Sequence, residues 1–360
     1  MAGLGLRDRD AIISKEGLIF RVFGYSHPSN GYICDAEYAP ASIFKSSNPK
    51  ALRNHKQELF YKFYEDEGWK LIQKEFSQYR FFHEMLQTRV TYVGTGNIAK
   101  TRKPEWKLKS LIEAEPTDNL VSALQDVLRF VAQRSTLAHS SFGVFGSVLH
   151  GFHNYRFSDI DFTTYGRQNV AKLTETLGEL YADSSSHLKN EFNDEEPIKS
   201  GPWRFRNYTT REYQFHQRRK MIYGLFTDQR TGRTIKTEFE PVKDWSEIKN
   251  EYDSKTRIIQ EGWVKLTANV SDDKDAPFIP SVYAIEPLHV LSGAHSEIEA
   301  VRIVSYMEEF RLQAITDEKV YVEGNLEEVV TPEKSFHQIT LTYCPRYYEQ
   351  VLKTVRPLGS

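Results

Sequence analysis

The stretch from Phe142 to Gly166, FGVFGSVLHGFHNYRFSDIDFTTYG, decides how the chain is read. It predicts a short apolar strand, a Gly146-Ser147 turn, a loop, and a second strand carrying Asp159 and Asp161. Alternation along that strand places both aspartates on one face, with Ile160 and Phe162 on the other. Two carboxylates side by side at a strand's end make an oxygen-rich site for a hard divalent cation, Mg²⁺ first and Mn²⁺ as its substitute. The Gly-Ser turn offers backbone N–H groups, a hydroxyl and a helix start to phosphate oxygens. A phosphate cradle beside metal-binding carboxylates is the minimum equipment for phosphoryl or nucleotidyl transfer.

Outward from this stretch, Thr117 or Asp118 is placed to cap a helix whose apolar stripe is Leu120, Leu124, Val127, Leu128 and Val131. After Gly166 a second amphipathic helix follows, with Val170, Leu173, Leu177 and Leu180 on one face. KMIYGLF and RTIKTEFEPV read as two strands joined by the turn TDQRTG. On the second, Ile235, Thr237 and Phe239 share one face, and Lys236, Glu238 and Glu240 share the other. Before them, WRFRNYTTREYQFHQRRK (203–220) interleaves basic and aromatic residues. Its Arg204, Arg206, Arg218 and Arg219 suit phosphate contact, since guanidinium binds phosphate in a bidentate fork. The same pattern also describes an element whose aromatics enter the core and whose basic face is merely wet.

Gly146-Ser147 followed after a loop by Asp159-Ile160-Asp161 resembles the signature of the DNA polymerase β-like nucleotidyltransferase superfamily. The run SDIDFTTYG is most like that of predicted, uncharacterised archaeal members, and the resemblance covers roughly residues 118–250. It implies a helix packed on a catalytic mixed sheet and a third metal carboxylate on a later strand beside the aspartates. Glu238 is the candidate and Glu240 the substitute, where the family more often has Asp. It further implies that Gly146 and Ser147 hold the β- and γ-phosphates of an NTP, whose NMP moves to an acceptor hydroxyl. Local basic segments and flanking β-modules favour a nucleic-acid acceptor, an RNA end. Nucleotidylation of a protein or small molecule, and a non-catalytic nucleic-acid-binding protein that keeps the fold, are the alternatives.

The fold class expected is α+β: a nucleotidyltransferase core of mixed sheet and packed helices, flanked by β-rich modules. The boundaries expected are residues 1–112 for an N-terminal β-hairpin and helical, basic region, 113–250 for the core, and 251–360 for a C-terminal β-rich domain. Within the first, residues 12–40 read as a small sheet, and 50–85 as helical with a break at Gly68. Residues 97–109 (NIAKTRKPEWKLK) read as a basic loop, either tracking a phosphate backbone or linking to the next helix. Arg7, Arg9 and His27 read as exposed charges near the terminus, and His150 and His153 as loop histidines close to the phosphate turn. Beyond Tyr252 the pattern is mainly β, with SDDKDAPFIP as a turn and IVSYMEEFRL as strand or helix. Glu261-Gly262-Trp263-Val264 faintly echoes Glu16-Gly17-Leu18-Ile19, as two related β-modules would.

A net charge of −2 gives no bulk electrostatic sign of a nucleic-acid binder, so any basic surface is local. Cys34 and Cys344 have neither metal-ligand spacing nor a disulfide framework and read as small buried residues. The charged start MAGLGLRDRD and the lack of a long apolar run point away from a signal peptide or membrane partner and toward the cytoplasm.

Overall fold

The computed structural model describes residues 5–55, 57–193, 204–293 and 300–355. The protein is α+β, with three sheets and packed helices. It divides into two compact units, one of Met1–His83, Thr88–Leu188 and Gly224–Tyr252, the other of Glu84–Gln87, Lys189–Tyr223 and Asp253–Ser360. The N-terminal region therefore belongs with the sheet that carries the aspartates, and residues 189–223 belong with the C-terminal strands. No helix among the described residues is long and apolar enough to cross a membrane.

The first unit opens with a mainly antiparallel sheet of β1 (Ala11–Ser14), β2 (Ile19–Val22), β3 (Gly31–Pro40), β4 (Leu52–His55), β5 (Glu58–Lys62), β6 (Arg80–His83), β7 (Thr88–Gly94) and β8 (Ile98–Arg102). Their order is β4-β5-β3-β2-β1-β8, with β7 pairing both β3 and β6. Ile12, Leu18, Phe20, Val22, Cys34 and Tyr79 build its core.

Residues 50–85 and 97–109 fold otherwise than their local patterns suggest. Leu52–His55 and Glu58–Lys62 pair antiparallel as β4 and β5, and helix α1 (Glu67–Glu75) starts only after Glu65, which takes a left-handed φ of 51°. Pairing of Tyr38 with Lys62 across β3 and β5 overrides the helical spacing of the apolar residues. Gly68 lies inside the first turn of α1, where a Cβ would stand 3.0 Å from the Ala36 carbonyl oxygen; it permits close packing and does not break a helix. The basic stretch 97–109 is likewise structured. Ile98–Arg102 pairs with β1, and Pro104 starts helix α2 (Pro104–Ile112) at the position where its missing N–H costs least.

Helix α3 (Asn119–Ser135) is capped by Asp118, whose carboxylate accepts from the N–H groups of Leu120 and Val121. It precedes the second sheet, formed by β9 (Phe142–Val144), β10 (Ile160–Tyr165), β11 (Leu188–Asn190), β12 (Tyr223–Thr227) and β13 (Thr234–Val242) in the order β11-β12-β13-β10-β9. β10 runs antiparallel to β9 and parallel to β13, so the sheet is mixed. Helix α4 (Gly146–His150) follows β9, and α5 (Arg167–Ala182) follows β10. The chain leaves this unit within β11 and re-enters it within β12.

In the second unit, α6 (Thr210–Arg219) begins with a Thr209/Glu212 capping box. The strands are β14 (Arg257–Asp275), β15 (Ser281–Ser292), β16 (Ala300–Ser305), β17 (Lys319–Val330), β18 (Ser335–Leu341) and β19 (Val351–Thr354). β14 to β18 close into a ring in the order β14-β15-β16-β18-β17-β14, with β16 and β18 parallel and β19 added to β17. Closure removes the exposed sheet edges, and this strand order is the Greek-key barrel of OB-folds. The SDDKD part of the expected turn extends β14, and IVSYMEEFRL divides into β16 and a short 3₁₀ turn at Glu308–Phe310. Among the described residues the N-terminal sheet closes no such ring, so the Glu-Gly echo between the two ends does not extend to topology.

Candidate active site

The parallel pairing of β10 with β13 puts Asp161 directly opposite Glu238 and Thr163 opposite Glu240. Asp159 lies just before β10 and two residues from Asp161, on the same face by alternation. Beneath that face, Phe162 stacks on Phe239 at 5.3 Å and anchors the two strands together.

The Gly-Ser turn meets the same carboxylates. The Phe145 N–H donates to the Asp161 carbonyl at 2.9 Å, and Gly146 then turns with a left-handed φ of 60°. A Cβ at Gly146 would collide with the Asp161 carboxylate, so backbone and side chain approach as closely as glycine allows. Gly146→Ala is expected to cost about 1–2 kcal/mol from the left-handed backbone alone, with further loss from that collision. Thermal denaturation of the variant measures it. Ser147 is half-buried in the short helix, and its carbonyl accepts the Phe152 N–H at 2.8 Å.

Crowding sets the electrostatics. Burial, then Glu238, then Asp159 push the Asp161 carboxyl up to about 8, while Lys62 opposes the rise. Asp159, more open to solvent, is also raised by partial desolvation, against the pull of Lys236, Arg233 and Lys62. Glu238 holds Lys236 Nζ at 2.7 Å. Glu240 is occupied differently: its carboxylate is buried against Arg9 Nη2 at 2.6 Å. Of the two glutamates, Glu238 is the one registered with Asp161.

Among the described residues, no three His, Cys, Asp or Glu side chains are grouped so as to hold a metal ion as they stand. The chemistry of the donors still fits a hard divalent cation: oxygen ligands only, like-charged, and held together at the cost of raised carboxyl pKa values. Asp159, Asp161 and Glu238 are the residues that would hold it.

The four arginine candidates belong to the second unit. Arg204 donates to the Tyr348 hydroxyl at 2.9 Å, Arg206 pairs with Glu349 at 3.2 Å, Arg219 pairs with Glu318 at 2.7 Å, and Arg218 is exposed, all in the second unit. Phe205 and Tyr208 are barrel core, so those aromatics of the 203–220 segment are not free to stack on bases; Trp203 lies outside the described residues. His150 is buried, with Arg102 Nη1 2.8 Å from its Nδ1, and His153 Nε2 meets the Asp118 carboxylate at 2.9 Å, so neither is a solvent-facing loop histidine.

Arg7, Arg9 and His27 are buried rather than exposed. Arg7 pairs with Glu105 at 3.4 Å and Arg9 with Asp8 at 3.6 Å, and beside them Lys103 pairs with Asp10 at 2.7 Å. Lys62, Arg233 and Lys236, the cations that act on the aspartates, were missed as site residues. Only Lys236 left a signal, by alternation with Glu238. Lys62 was hidden by the helical reading of its strand, and Arg233 by its place in a turn.

No family model matches the chain, and no solved structure matches it. A protein of Methanocaldococcus jannaschii described only as uncharacterized is similar to it, with 25% identity over 340 residues, covering 90% of this chain and 92% of that protein.

Proposed function

We propose that the chain is a metal-dependent nucleotidyltransferase of the cytoplasm that moves an NMP from an NTP to an acceptor hydroxyl, an RNA end favoured, and releases pyrophosphate. The observation that carries this reading is the register of Asp161 with Glu238 on adjacent parallel strands, with the Gly146 backbone turned against the Asp161 carboxylate. Bound Mg²⁺ or Mn²⁺ would neutralise triphosphate charge and lower the pKa of the attacking hydroxyl. Asp159, Asp161 and Glu238 would hold the cation at the start of β10 and beside it on β13. Gly146 and Ser147 present backbone N–H groups to the β- and γ-phosphates. Glu240 stays with Arg9 and takes no part. The acceptor oxygen bonds to the α-phosphorus, the bond from that phosphorus to the bridging oxygen of the β-phosphate breaks, and the hydroxyl proton is released.

Incubation with each α-labelled NTP, Mg²⁺ and an RNA pool tests the acceptor. Label on the RNA is the expected result. Label on protein would move the reading to protein nucleotidylation, and RNA binding with a steep salt dependence but no turnover would make the chain a binding protein.

A further inference from the structure

The loop between α4 and β10 has a feature that transfer chemistry alone does not use. Phe157 is 71% exposed and Tyr155 is 45% exposed, two and four residues before Asp159. The loop carrying them is heavily braced. The N–H groups of Phe157 and Ser158 donate to the Asn154 carbonyl at 3.1 and 2.9 Å, and the Asn154 N–H donates to Ser158 Oγ at 2.9 Å. From β12–β13, the Arg233 guanidinium donates to the Tyr155 and Ser158 carbonyls, each at 2.7 Å. Two aromatic rings are thus held in water on a fixed backbone.

An arginine and a cleft adjoin Tyr155. Arg156 lies over the Tyr155 ring at 5.4 Å. A cleft of about 240 Å³ opens beside Tyr155, lined also by Arg156, Asn119, Leu120, Asp228 and Arg233. That volume is below the range of sites for drug-sized ligands, so it admits one ring system rather than a whole nucleotide. Exposed aromatics interleaved with arginine, on a rigid loop, are what unpaired bases and their phosphates recognise.

We propose that Tyr155 and Phe157 form a stacking platform for an unpaired nucleobase, with Arg156 at its phosphate, which delivers the end of a single strand to the carboxylates. The delivery rests on the nucleotidyltransferase reading; the platform does not. The loop's bracing means that binding needs little ordering of the protein, which favours affinity.

The test uses the full chain without added metal, so that no transfer takes place, and fluorescein-labelled single-stranded RNA and DNA dodecamers at low salt. Tyr155→Ala with Phe157→Ala is expected to weaken binding of both strands at least tenfold, and Arg156→Ala to lower the salt slope by about one. Phe157→Trp is expected to keep the affinity, and its added indole emission to be quenched as strands bind. Quenching by a mononucleotide alone would place the base of the incoming nucleotide on the same platform. Wild-type chain that binds neither strand, a double alanine variant within twofold of wild type, or an unquenched Phe157→Trp signal would overturn the proposal. Binding that behaves as expected in a chain that never releases pyrophosphate would refute the transferase reading and leave the platform standing.

Discussion

Asp161→Asn is expected to abolish nucleotidyl transfer while making the metal-free protein more stable near pH 8. Both effects come from one carboxyl. On the catalytic side, losing one charge that acts on the transition state costs about a hundredfold or more in rate. On the stability side, the Asp161 carboxyl is pushed up to about 8 by burial, Glu238 and Asp159, whereas an unfolded Asp titrates near 3.9. Between those values the folded chain binds more protons than the unfolded one. Stability present below about pH 4 is therefore lost as pH rises toward 8, at up to about 1.4 kcal/mol per pH unit. Asp10, raised to about 6 chiefly by burial, adds a loss of the same sign that ends near pH 6. Asp161→Asn should flatten the curve between pH 6 and 8 and leave the Asp10 part intact. Urea denaturation of both proteins in chelator, from pH 5 to 8.5, measures this. Parallel curves would remove Asp161 as the titrating group. Added Mg²⁺ should restore stability to the parent protein at high pH and not to the variant.

Arg9→Met is expected to lower stability by about 3–5 kcal/mol, the usual cost of leaving one member of a buried ion pair without its partner. Arg9 Nη2 lies 2.6 Å from Glu240 Oε2, and both side chains are only 3% exposed. The same guanidinium sits 5.2 Å from the Phe145 ring, immediately before Gly146. The N-terminal residues are thus joined to β13 on one side and to the residue before Gly146 on the other. Arg9→Met combined with Glu240→Met should recover part of the loss, because it removes the bare Glu240 charge and leaves only Asp8, 3.6 Å from Arg9 in the parent, without that partner. Equilibrium denaturation of the two single variants and the double variant supplies the coupling. A single Arg9 variant within about 1 kcal/mol of the parent would show that Glu240 does not depend on this partner.

Local, periodic features were legible. Asp118 caps its helix, the stretch 142–166 folds as strand, loop and strand with a short helix in place of the expected Gly-Ser turn, and Glu238 shares a face with Lys236. The reading failed where long-range pairing decides. Residues 50–62 have apolar spacing suited to a helix, yet β5 pairs with β3 and carries Lys62 toward the aspartates. The Arg-Asp-Arg-Asp run at residues 7–10 looks like a solvated terminus because nothing local reveals Glu105 or Glu240 as partners. The choice between Glu238 and Glu240 was open in sequence for the same reason: alternation places both on one face, whereas strand register sets Glu238 opposite Asp161 and Arg9 pairs with Glu240. The exposed rings of Tyr155 and Phe157 gave no signal, since a loop sequence does not state which of its side chains face water.

Pyrophosphate release tests the central claim most directly: the parent protein and the Asp159→Ala, Asp161→Ala double variant, side by side, with Mg²⁺, single-stranded RNA and each of the four NTPs. The account predicts release by the parent with at least one NTP and none by the double variant. Equal release by both proteins, or none by the parent with any NTP, would contradict it.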